Sequence, residues 1–178
     1  MQDIEQNLAK SPVRSAGSGS RGIEFLVISR RHRYADTVLA CLNARVVVHA
    51  GETADSCLAA IVAALAAPDL SALHIVGDGV PGAITVASGA TIDSHSARIF
   101  FPAVARGAEI NLWSNLTGSG VIGRHFVQTL AEITRCRIFA SDGLVGGPAT
   151  GASWDLRIAA RPRGLAPFLR PARDTLRL

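Results

Sequence analysis

Cysteine is scarce and poorly placed for cysteine chemistry. The chain has three, Cys41, Cys57 and Cys136, an odd number with no Cys-x-x-Cys pair. No Cys/His cluster has zinc-ligand spacing, so no metal site is expected. Two of the three sit in apolar helical patterns and read as buried free thiols. Aromatic residues make up only 5% of the chain, no Lys/Arg stripe falls on a helix face, and no nucleic-acid-binding motif occurs, so nucleic acid is not the expected partner despite a pI near 9.6. No run reaches eighteen uninterrupted apolar residues, which excludes an expected transmembrane helix. Met1 to Gly22 lacks the apolar core of a secretion signal, so cytoplasmic residence is the default expectation.

What is present is enough for one domain. The chain has 178 residues, 48% of them apolar, and can bury a core without disulfides. Its formal charge of +4 is unevenly spread. Arg161, Arg163, Arg170, Arg173 and Arg177 crowd the C-terminal stretch, and Arg30, Arg31 and Arg33 form a second cluster. Such patches suit an acidic protein surface, anionic lipid or nucleic acid, or are simply solvated faces.

Ser15 to Ser20 is linker-like, so residues 1–22 read as a flexible arm, 23–158 as the folded domain and 159–178 as an Arg/Pro-rich tail. The apolar runs Ile23–Ser29, Ala44–His49, Ala72–Val76, Glu109–Trp113 and Arg137–Ala140 predict strands. Trp154–Ile158 is a sixth candidate, and Ala83–Ile92 predicts a hairpin. Helices are expected over Ala35–Asn43, Thr53–Ala67 with Thr53 as N-cap, Ser94–Arg106 with a break at Pro102, and Gly120–Thr134. Strands alternating with helices predict a three-layer α/β sandwich with a mostly parallel sheet. Function then belongs at the carboxyl ends of the strands: His49, Gly77-Asp78-Gly79, Trp113-Ser114-Asn115 and Ser141-Asp142-Gly143.

Three stretches carry a resemblance: Leu73-His74-Ile75-Val76-Gly77-Asp78-Gly79, Ile110-Asn111-Leu112-Trp113-Ser114-Asn115, and Ala140-Ser141-Asp142 running to Trp154-Asp155-Leu156. From Ile23 to Ile158 the chain resembles an uncharacterised bacterial domain of the caspase-like, clan CD type, found near the N-terminus of large repeat adhesins. The resemblance implies a caspase-like fold and leaves a cell-surface or secreted location open. In that family's pattern a catalytic His stands where this chain has Asp78, and a nucleophilic Cys where it has Asn115. A Cys–His dyad needs an imidazole to take the thiol proton, and an asparagine has no nucleophilic atom. The resemblance therefore implies a pseudoenzyme: a non-catalytic interaction module, an accessory or structural subunit of a larger assembly. No cofactor is implied. A nucleophile shifted to Ser114 conflicts with the alternation of side chains along a strand.

The tail supplies candidate partner contacts, Arg161, Arg163, Phe168, Arg170 and Arg173, suited to lying across an acidic protein surface. An alternative reading uses Gly118-Ser119-Gly120-Val121-Ile122-Gly123, a literal GxGxxG ahead of a helix, with Asp142 beyond it. In a dinucleotide fold those glycines would hold a pyrophosphate and the Asp a ribose hydroxyl. Four residues separate strand from glycines, and little more than one strand follows Asp142, which count against it. A simpler form is phosphate held at the helix start near Gly120.

Overall fold

The computed structural model describes residues 22–40, 46–87, 89–104, 107–146 and 151–163. The expected N-terminal arm (up to residue 21), Cys41, Phe168, Arg170, Arg173 and Arg177 lie outside the described residues. The elements run β1 (Ile23–Ser29), α1 (Ala35–Ala40), β2 (Val46–Gly51), α2 (Ala54–Ala66), β3 (Leu70–Val76), β4 (Asp78–Val80), β5 (Ala83–Ala87), β6 (Ala90–Ile92), α3 (Ser94–Phe100), β7 (Glu109–Trp113), α4 (Gly120–Thr134), β8 (Arg137–Ala140) and β9 (Ile158–Ala160).

Six strands form one sheet in the order β2-β1-β3-β7-β8-β9, parallel except for β9. The chain is thus a mixed α/β fold with helices flanking a mostly parallel sheet. The crossover from β1 to β2 runs one way along the sheet and that from β2 to β3 the other, so same-handed connections need opposite faces. Accordingly α1 packs with Leu26, Ile28 and Val76 on one face. The larger core lies on the other, where α2, α3 and α4 meet Val27, Leu73, Ile75, Ile110, Leu112 and Ile138.

Local chemistry accounts for the helices. In α2, Thr53 accepts from the Ser56 amide and Ser56 returns a bond to the Thr53 amide, a reciprocal cap. In α4, buried Gly123, Phe126, Val127, Leu130, Ala131 and Thr134 recur at helical spacing and place one face on the sheet. Arg135 closes α4 in the left-handed region at φ 61°.

Three local expectations change. Gly77 ends β3, but Asp78-Gly79-Val80 forms β4, which pairs with β5 and turns the hairpin into a three-stranded antiparallel sheet. A Cβ on Gly77 would lie 2.4 Å from the Thr85 carbonyl oxygen, and one on Gly79 2.2 Å from that of Asn115, so these glycines permit close backbone approach. The sixth strand is Ile158–Ala160 rather than Trp154–Ile158. The helix expected from Ser94 stops at Phe100, before Pro102, whose ring disfavours helix in the preceding residue.

Candidate functional site

In the sheet, β1 lies between β2 and β3, so the chain reverses its direction of travel at β1, and a crevice is expected at the strands' carboxyl ends there. A narrow cleft occupies that position. Its first wall is the turn after β1. The His32 amide donates to the Ser29 carbonyl at 2.9 Å, and the Arg31 amide to Ser29 Oγ at 3.2 Å. His32 Nδ1 accepts from the Tyr34 amide at 3.4 Å, which leaves Nε2 facing Asp78 Oδ1 at 3.9 Å. Burial holds the His32 pKa below its ordinary value; Asp78 opposes that shift and Arg33 adds to it.

Beyond β3, Asp78 at the start of β4 stands at the cleft mouth, its side chain 73% exposed. The third wall follows β7. Trp113 Nε1 donates to His74 Nδ1 at 3.1 Å, and its ring stacks on that imidazole. Burial drives the His74 pKa down to about 4. Glu24 stands 3.9 Å from His74 Nε2, beyond hydrogen-bond range and partly open to screening water, so it does not offset the burial. Trp154 closes the corner, its ring centre 6.1 Å from that of Trp113 at a tilt of 56°.

Asp78 and Asn115 therefore line one cleft, from the ends of adjacent strands, but no hydrogen bond joins them among the described residues. Asn115 is otherwise engaged: its Oδ1 accepts from the Val145 amide at 2.8 Å and anchors the loop after β8. Ser114 is buried, with Oγ 2.6 Å from Thr117 Oγ1. Cys57 and Cys136 are buried elsewhere, with their thiol pKa values pushed up by burial. Thus the cleft holds no thiol among the described residues, and its serine hydroxyl is bonded internally.

The glycine motif has a different geometry. A Cβ on Gly123 would meet the Gly118 carbonyl carbon at 2.3 Å, and one on Gly118 would meet Ile158 at 2.9 Å, so both serve close packing. Gly120 faces open space at φ 65°, and Ser119 makes no side-chain cap bond. Asp142 lies in a separate depression with Asp155 and Arg157, which the three glycines do not line. Arg161 and Arg163 fold against α4: the Arg161 carbonyl accepts from Gln128 at 3.0 Å and the Arg163 amide donates to Glu132 at 3.1 Å. Among the described residues no three His, Cys, Asp or Glu side chains are grouped to hold a metal ion, and no helix is long and apolar enough to cross a membrane.

A family designated a domain of unknown function, DUF4347, matches residues 25–167. The chain belongs to this family. No curated protein and no solved structure matches it. The DUF4347 match takes in the cleft, β1 from Phe25 on, and the strands β2 to β9. Within this DUF4347 chain, sequence reasoning identified Asp78 and Asn115 but missed His32, Tyr34 and Trp154 as their neighbours. His32 carried a signal, its place just past the first strand, which mattered only once β1 was known to adjoin β3. Trp154 had none, since it is far from Trp113 in sequence.

Proposed function

We propose that this DUF4347 chain is a non-catalytic interaction module of the caspase-like type, an accessory or structural subunit of a larger protein assembly. The supporting observation is the occupancy of the cleft. Asp78 and Asn115 stand where the resemblance places a His–Cys dyad, and Asn115 is spent on loop anchoring. Acyl transfer needs an activated nucleophile within reach of a base. The Ser114 hydroxyl is buried and bonded to Thr117, and no hydrogen bond joins it to His32 among the described residues.

The test has two arms. Purified full chain is assayed against a panel of fluorogenic peptide amides, with no turnover above buffer expected. In parallel, tagged chain is crosslinked in its native cells and recovered, with a stoichiometric protein partner expected that is depleted by Trp154→Ala. Turnover that scales with protein and disappears in Ser114→Ala would overturn the reading.

The open start of α4 favours a second reading. The uncapped amides beyond Ser119 and the free space at Gly120 suit a phosphate group. Calorimetric titration with ATP, NAD and inorganic phosphate tests it, and absence of heat with all three removes it.

A further inference from the structure

We propose that the cleft at the ends of β1, β3 and β7 receives a basic side chain, lysine or arginine, presented by an extended segment of a protein partner. This deepens the interaction reading and rests on it. The argument starts from charge. His32, Arg33 and Asp78 are the ionisable side chains with charge to offer here. Burial disfavours the charged form of His32. The Arg33 guanidinium carbon lies 4.9 Å from the centre of the Tyr34 ring and is already set on a π face. That leaves the Asp78 carboxylate, whose nearest ionisable partner among the described residues is His32 at 3.9 Å.

The apolar surface beside it has the matching character. Trp113 and Trp154 form a corner of two indoles with ring centres 6.1 Å apart. The Trp113 N–H is spent on His74, so that ring offers the cleft no donor. A carboxylate in a cleft also lined by two indole rings attracts a cation through a charge-assisted hydrogen bond, to which the ring quadrupoles add. An anionic side chain would meet the carboxylate unfavourably, and an apolar one would cover it without a partner. Arg33 faces the same cleft and opposes a second cation, which keeps the affinity for a single side chain modest.

The two tryptophans of the chain both line this cleft, so intrinsic emission reports the site alone. The full 178-residue chain is titrated with acetyl-Ala-Lys-Ala-amide and its Arg counterpart, using norleucine and Glu peptides as controls. A saturable emission change is expected for the Lys and Arg peptides at about millimolar concentration, weakened about tenfold by Asp78→Asn and by the control residues. Asp78 is exposed, so far-UV circular dichroism of Asp78→Asn should be unchanged. Equal binding of norleucine and Lys peptides, unchanged binding by Asp78→Asn, or no saturable change with any peptide overturns the proposal. Cleavage of a bound Lys peptide would support the cation site while overturning the non-catalytic reading. Partner capture unaffected by Asp78→Asn would remove the cation site and leave the interaction reading standing.

Discussion

At the scale of single residues, several side chains in and around the cleft have structural duties that can be measured. Asn115→Ala leaves the Val145 amide without its acceptor and is expected to cost about 1–3 kcal/mol in urea denaturation, with Asn115→Asp costing less because an acceptor oxygen remains. Gly123 lies inside a helix, where propensity alone would favour Ala by about 1 kcal/mol. The 2.3 Å approach to the Gly118 backbone reverses that sign, and Gly123→Ala should destabilise by about 1–3 kcal/mol. His74 adds a pH dependence. Its folded pKa of about 4 lies below its ordinary 6.5, so the unfolded chain binds the proton more readily. The contribution is fully present above pH 6.5 and is lost as pH falls toward 4, on the order of 3 kcal/mol. Urea midpoints at pH 7 and pH 4.5 check this, and His74→Gln, which can still accept from Trp113, should flatten that part of the dependence.

At the scale of elements, the caps were the most legible features. Thr53 precedes an apolar helical run and Pro68 follows it, and both positions hold in α2. Thr53→Ala should cost about 1 kcal/mol in thermal or chemical unfolding, while Thr53→Ser, which keeps the acceptor, should be close to neutral. The Gly-Asp-Gly stretch was only half legible. Two glycines flanking one polar residue signal a break, and β3 does end there. Pairing of Asp78 with Thr85 across β4 and β5 depends on the hairpin folding back, which local composition does not encode. Trp154 likewise reads locally as strand because Trp154, Leu156 and Ile158 alternate with Asp155 and Arg157. In the structure its ring packs against Trp113, and the strand forms only where Ile158 meets Ala140.

At the scale of the whole molecule, the proposed cleft and tail contacts ask opposite charges of a partner, so they can be separated. Arg170→Glu with Arg173→Glu should weaken capture of an acidic partner surface about tenfold in a quantitative pull-down and leave Lys-peptide binding at the cleft unchanged. Unchanged capture would remove the tail from the interaction. The sequence by itself determined the layers: apolar runs alternating with capped amphipathic helices leave few arrangements but a largely parallel sheet with helices against it. It also carried the resemblance that singles out Asp78 and Asn115. Only the tertiary structure decided that His32, Asp78, Trp113 and Trp154 share one cleft. Those residues come from four separate segments, and they meet because β1 lies between β2 and β3 and the loop after β8 folds back over β7. Strand order is a property of long-range pairing, and no local period in the chain carries it.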